Sequence, residues 1–204
     1  MSDKKNQKPK ASRVGILLFS FILAVIAIFV GLAILYAGSR LASNSQQEIN
    51  APEPANPPGL PVRLLIPKIG VDANVQQVGI TAGRLGIPSN FTDVAWYKMG
   101  PRPGAVGSAV IDGHLDNAKD ARAVFMNLSD LKAGDDIYVK DAAGQTFHFR
   151  VIESDVYDYN SAPLAKIFSQ NDGRAHLNLI TCDGVWNEKT KNYSSRLVIY
   201  SERV

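Results

Sequence analysis

The chain has 204 residues, 46% of them hydrophobic, a formal net charge of +3 and a single cysteine. From residue 61 onward Lys and Arg number 16, and Asp and Glu also number 16. The basic excess therefore belongs to the N-terminal stretch, and the pI near 8.9 is no argument for nucleic-acid binding.

Residues 1–13 carry Lys4, Lys5, Lys8, Lys10 and Arg13 against one acid, Asp3. Residues 14–37 follow as VGILLFSFILAVIAIFVGLAILYA, without a charge in 24 positions. At about 1.5 Å per residue a helix of this length spans roughly 36 Å, enough for a hydrocarbon core of about 30 Å. A buried core helix would keep a polar stripe. A cleavable signal peptide has a shorter apolar region, about 7–15 residues. The segment therefore reads as a retained single-pass signal-anchor in the cell membrane. The positive flank predicts a cytoplasmic tail at 1–13 and an extracellular remainder. Residues 38–61, polar and rich in proline, read as an extracellular linker. Residues 62–204 are long enough for one core and form one predicted domain.

That domain reads mostly as strands. VRLLIP (62–67) and NVQQVGI (74–80) are short β-like runs. GSAVIDGH (107–114) has an apolar centre between glycines. Residues 136–140 and 145–157 form a hairpin about the turn DAAG, with Phe147, Phe149 and Val151 on one face and Thr146, His148 and Arg150 on the other. RAHLNLITC (174–182) and SRLVIYSERV (195–204) are the last two strands. Helix is sparse: SAPLAKIF (161–168), with a Ser N-cap candidate, and AVFMNLSDL (123–131) fit a turn or two each. Many short strands with Gly and Pro turns predict a mostly β domain, a closed barrel or a sandwich.

Exported proteins generally use cysteines in pairs, so the lone Cys182 is either an inert buried residue or a reactive one. A cysteine nucleophile needs a base for its proton and a cation or N–H group for the oxyanion formed when it attacks a carbonyl. His148 sits on the polar face of a strand. His176 lies about 20 Å along the strand from the thiol. His114 ends an apolar strand after a glycine, as Cys182 ends another, and either faces the thiol across a barrel rim or serves a turn. Arg196 begins the strand after Cys182. Antiparallel pairing would put the two side chains about 5 Å apart, where a guanidinium can bind an oxyanion through its fork of donors; the other reading is a solvated surface charge.

The ordered set AVIDGH ending at His114, LITC ending at Cys182 and SRLVIY carrying Arg196 resembles the sortases. Leu179, Thr181 and Cys182 match the family's Leu-x-Thr-Cys signature. PGAVGSAVIDGH and FMNLSDLKAGDDIYV resemble its Gly-rich approach to the histidine and the segment that follows. The resemblance implies a closed mixed β-barrel of about eight strands with short helices. It implies a cysteine transpeptidase that cleaves the Thr-Gly bond of a Leu-Pro-x-Thr-Gly-like sorting signal through a thioacyl intermediate. The acyl group would pass from a sorting-signal-bearing surface protein to a cell-wall amine, a peptidoglycan precursor. Cys182 would be the nucleophile, His114 would exchange protons with the leaving and incoming amines, and Arg196 would hold substrate and oxyanion.

Thr181, Asp183, Trp186 and Asp116 are further candidates at the substrate, Asp116 as either a partner of the imidazole or a turn residue and Trp186 as either a ligand contact or a cap on the barrel end. The Gly-His-Leu-Asp and Thr-Cys-Asp-Gly contexts resemble the actinobacterial classes E and F. No Asp-Pro-aromatic lid motif of the pilin-polymerising enzymes occurs in the linker. Some sortases bind calcium near the position of Asp155 and Asp158, but two carboxylates without a third ligand are a weak metal signal, so no cofactor and no metal are expected. The competing function is a membrane-tethered, non-catalytic binding domain on the same barrel. L,D-transpeptidase and papain signatures around the cysteine are absent.

Overall fold

The computed structural model describes residues 57–81, 83–116 and 123–204. The expected cytoplasmic tail, the membrane-spanning helix at 14–37 and most of the linker lie outside the described residues.

The first strand, β1 (Pro61–Ile66), alternates in burial, with Leu64 and Ile66 fully inside. A single 3-10 turn, Pro67–Ile69, ends on Gly70 at φ 68°. This left-handed conformation is one that glycine adopts freely. It returns the chain at once into β2 (Val71–Val78), antiparallel to β1, so β2 begins three residues before the predicted start. A small separate hairpin follows, β3 (Ile80–Thr81) with β4 (Arg84–Leu85). The next strand, β5 (Val94–Tyr97), is not among the predicted ones. Its four residues are too few to show alternation, and Val94, Ala95 and Trp96 are all buried.

The remaining strands are β6 (Gly107–Asp112), β7 (Asp136–Asp141), β8 (Thr146–Asp158), β9 (Ala175–Asn187) and β10 (Asn192–Arg203). They close a barrel in the order β1-β2-β5-β6-β9-β10-β8-β7, with β1 and β7 pairing to complete it. The β2/β5 and β6/β9 pairs are parallel and the rest antiparallel, so the sheet is mixed, as the resemblance implies.

Period-two alternation decides what fills the barrel. Ala109 and Ile111 of β6, Phe147 and Phe149 of β8, and Leu177 and Leu179 of β9 belong to the interior cluster. Each large side chain fully buried there contributes about 1.5–3 kcal/mol. The other face of the same wall is also buried. Val110, Ile180, Val198 and Tyr200 pack outside the barrel against Ile167 of a short helix, α1 (Leu164–Phe168). Burial on both faces explains why β6, β9 and β10 read as continuous apolar runs.

Three local expectations are corrected. Helix α1 starts after Pro163 with no side-chain cap, so Ser161 does not cap it. Residues 123–131 yield only a 3-10 turn, Leu128–Asp130. Finally, β9 does not end at Cys182 but continues to Asn187, and β10 starts at Asn192. The expected long loop is an extended hairpin whose turn is only residues 188–191. Its register shifts between Tyr193 and Ser195, opposite Gly184 at φ 83°, where an added Cβ would run into the Ser194 hydroxyl. The bulge lets the hairpin depart from the barrel wall.

Candidate active site

Leu177, Leu179 and Thr181 of β9 point inward, so Ile180 and Cys182 point outward. The thiol therefore sits on the outer wall of the barrel rather than on a rim. Cys182 is half-buried there and free. In the β9/β10 ladder its partner is Arg196, the pairing expected from the two strands. On the other side, β6 runs parallel to β9 with Ile111 opposite Leu179 and Asp112 opposite Ile180. The ladder ends there, and His114 follows two residues past the end of β6, at the level of Cys182 if the same register is continued. The junction is pinned: Gly113 N–H donates to Ile180 O at 3.1 Å, and Thr181 Oγ1 donates to Gly113 O at 2.8 Å.

The imidazole is oriented by groups remote in sequence. His114 Nε2 lies 3.0 Å from Pro88 O. A carbonyl only accepts, so Nε2 carries the proton and Nδ1 is left to exchange one with substrate. Phe91 packs on the ring at 4.8 Å between centroids, and Phe125 N–H donates to His114 O at 3.0 Å. Glycine at 113 is required by close approach, because a Cβ there would overlap the Phe125 ring.

Arg196 is also held in place. Its Nη1 donates to Ser195 O at 2.8 Å and to Tyr193 O at 3.3 Å, and Nη2 donates to Asn192 Oδ1 at 2.7 Å. The guanidinium lies over Tyr159 at 4.6 Å from the ring centroid, a cation–π contact.

Burial pushes the Cys182 thiol above its ordinary range; Arg196 pulls it down, and Asp112 and Asp116 push it up further. The thiol is therefore protonated at neutral pH, and attack requires proton transfer to a base. Asp112, unmarked by sequence reasoning, points outward like Val110. Burial pushes its carboxyl up to about 7, against the opposing effects of Arg196 and the Gly113 N–H.

The other sequence candidates divide. Thr181 is buried and faces the barrel interior, joined to Gly113 O; it ties β9 to β6 rather than touching the groove. Asp116, read as either an imidazole partner or a turn residue, accepts from Tyr193 Oη. Asp183 pairs with Ser195 in the ladder. Trp186 lies on the exposed hairpin, edge-on to Tyr193 at 5.2 Å, with Nε1 donating to Glu188 at 2.9 Å; it caps no barrel end. His148 stacks on Tyr138 and bonds Asp136 at 2.7 Å. His176 is buried against Asp172 at 2.8 Å. Asp155 accepts from Tyr157 Oη and Lys166 Nζ, at 2.7 and 3.1 Å. Among the described residues no three His, Cys, Asp or Glu side chains are grouped to hold a metal ion. Pro88, Phe91, Tyr159 and Asn192 went unmarked, because only long-range folding brings them to the site.

An outer-wall cysteine with an arginine as its ladder partner on one side and a histidine just past the end of the neighbouring strand on the other is the layout of a cysteine acyl-transfer site. The sortase domain model matches residues 64–204. The chain belongs to the sortase family, the cysteine transpeptidases. Among solved structures, sortase C-1 from Actinomyces oris is 28% identical, with 70% of this chain and 71% of that chain covered and a TM-score of 0.53. A lid mutant of sortase A from Corynebacterium diphtheriae is 24% identical, with 75% and 74% covered and a TM-score of 0.55. Sortase C from Clostridium perfringens, at 17% identity, covers 72% and 71% with a TM-score of 0.51. No curated protein matches the chain.

Proposed function

We propose that the protein is a membrane-anchored sortase that cleaves a Leu-Pro-x-Thr-Gly-like sorting signal between Thr and Gly and transfers the acyl group to a cell-wall amine. One observation carries the reading: Arg196 is the direct cross-strand partner of Cys182 on the outer wall, with His114 two residues past the end of the strand at its other side. The thiol gives its proton to the imidazole and its sulfur bonds to the Thr carbonyl carbon. Arg196 stabilises the oxyanion. The C–N bond breaks as His114 returns the proton to the departing Gly amine, leaving a thioester. An incoming amine loses a proton to His114, attacks the thioester, and the thiol is restored.

The substrate would be a surface protein bearing the signal, and the acceptor a peptidoglycan precursor. The signal-anchor sequence at 14–37 supports a cell-surface location with the N-terminus cytoplasmic. The contexts of His114 and Cys182 support an E- or F-like sub-class.

The test is incubation of the full-length protein in detergent with a sorting peptide and an amine, followed by intact mass. A thioacyl adduct on Cys182 that the amine discharges is expected. Binding without an adduct would favour the non-catalytic reading. Protease added to intact cells should remove the barrel domain; its protection would overturn the topology.

A further inference from the structure

The loop between β4 and β5 carries the two groups that hold the His114 ring. Pro88 O takes the Nε2 proton at 3.0 Å, and the Phe91 ring packs on the imidazole. Pro88 is buried, but Ile87, Ser89, Asn90 and Phe91 around it are exposed. A carbonyl on such a loop keeps a proton in one place only if the loop is itself held.

It is held from β2 and from its own C-terminal end. Ala73 and Val75 of β2 pack on the interior cluster, so alternation turns Asn74 and Gln76 outward, towards Asp93 just before β5. Gln76 Oε1 accepts from the Ser89 N–H at 3.1 Å, beside Pro88, and Gln76 Nε2 donates to Asp93 Oδ2 at 3.0 Å. Asn90 Oδ1 accepts from the N–H groups of Thr92 and Asp93 at 3.0 and 2.8 Å, and Asn90 Nδ2 donates to the same Asp93 oxygen at 2.8 Å. Asn74 Oδ1 accepts from Arg63 Nη1 at 2.7 Å, and Asn74 Nδ2 donates to Asp93 Oδ1 at 3.3 Å. Each amide thus has its oxygen engaged and sends its nitrogen to position 93. An ionised carboxylate, which accepts and donates nothing, satisfies all of them. The bonds from Gln76 and Asn90 hold the Asp93 carboxyl below the ordinary carboxylate range, so it is charged at neutral pH, and bonds to a charged acceptor are the stronger kind. The Phe91 side of the loop has a further anchor, the Val124 N–H on Phe91 O at 2.8 Å. The Pro88 side is reached through Gln76.

We propose that Asp93 is a positioning residue for proton transfer: through Gln76 and the Ser89 N–H it holds the Pro88 carbonyl on His114 Nε2, which leaves Nδ1 without a proton and able to accept one. The use of His114 in proton transfer rests on the transpeptidase reading above; the hold on its ring does not. With the carboxylate removed, Gln76 loses the acceptor that orients its amide, the Pro88 carbonyl is released, and the imidazole is no longer fixed in one tautomer and one orientation.

The test uses the full-length protein in detergent and four variants: Asp93→Ala, Gln76→Ala, the two combined, and Asn74→Ala. Kinetics with a sorting peptide are corrected for folded fraction by melting curves. Ring N–H exchange with water is followed by NMR on protein carrying nitrogen-15 histidine, with the His114 signals assigned by their loss in His114→Asn. The unsubstituted protein should show a protected His114 Nε2–H. In Asp93→Ala that proton should exchange at least about tenfold faster, and kcat should fall about tenfold with KM within about twofold, a part of what a positioned proton-transfer group contributes. Gln76→Ala should do the same, and the double variant should be no worse than either, because both substitutions cut one link; Gln76→Ala also tests that link if Asp93→Ala does not fold. Asn74→Ala takes one bond from the same carboxylate but spares Gln76 and Asn90, so both readings should stay within about twofold of the unsubstituted protein. Ring exchange unchanged in Asp93→Ala and Gln76→Ala, whatever their melting temperatures, overturns the proposal, as does an equal loss in Asn74→Ala. If the unsubstituted protein forms no thioacyl adduct on Cys182, the transpeptidase reading fails, and the ring signals still decide whether Asp93 holds His114.

Discussion

Replacing Arg196 by lysine keeps the charge beside Cys182 and removes the planar fork. In the structure that fork reaches Ser195 O, Tyr193 O and Asn192 Oδ1 at once and lies flat over Tyr159. A flexible ammonium cannot meet three fixed acceptors in one plane and still present a donor to a developing oxyanion. Loss of one such donor typically costs about 10²–10³ in rate, or roughly 2.7–4 kcal/mol. Arg196→Lys should therefore lose on that order in kcat, with KM moving less, because the interaction strengthens in the transition state. Arg196→Ala should lose at least as much and should show a second effect. Arg196 is what pulls the thiol's pKa down against burial and two carboxylates, so its removal moves the thiol limb of the kcat/KM profile to higher pH. Steady-state kinetics from pH 6 to 10 with melting curves would measure both. Near-normal rates in both variants would refute the oxyanion role and leave a structural arginine. A steep rise in KM with kcat unchanged would make it a substrate-holding group instead.

Cys182→Ala should abolish thioacyl formation and peptide cleavage while leaving the melting temperature near that of the unsubstituted protein, since one atom is lost from a half-buried site; intact mass and calorimetry check it. Gly113→Ala should destabilise the domain by about 1–3 kcal/mol by forcing a methyl group into the Phe125 ring, and should lower kcat because His114 follows directly; denaturant unfolding and kinetics read the two effects. Asp112→Asn should be most stabilising at alkaline pH. The folded protein keeps this proton to about pH 7 while the unfolded chain releases it near pH 4, so the carboxyl costs stability progressively between those values and fully above them. At about 1.4 kcal/mol per pH unit the ceiling is ~4 kcal/mol, and water in the groove should reduce it to roughly 1–3 kcal/mol. Unfolding free energies at pH 4 and pH 8 test this; an equal difference between the proteins at both pH values would refute it.

Much of the site was legible because its signals are local. The alternation in 145–157 marks an inward and an outward face, and the short separation of the strands carrying Cys182 and Arg196 predicts an antiparallel pair in which the two meet. Other features could not be read in this way. Gly113 and Thr181 are 68 positions apart, and their contact depends on a parallel β6/β9 ladder whose register no turn sets. Strand β5 was missed because both its faces are covered, which removes the polar half of the pattern. Periodicity likewise shows that Cys182 and Ile180 share a face, but not whether that face is the inside or the outside of the barrel.

Composition and pattern alone determined a β-rich domain, a lone nucleophile candidate and the neighbouring arginine, because these follow from period-two geometry within short stretches. Only the tertiary structure decided that the thiol lies on the outer wall, that Pro88 fixes the tautomer of His114, that Tyr193 takes Asp116, and that Asp112 stands beside the thiol. Each of these depends on which distant element packs against a given strand face, and barrel closure fixes that choice.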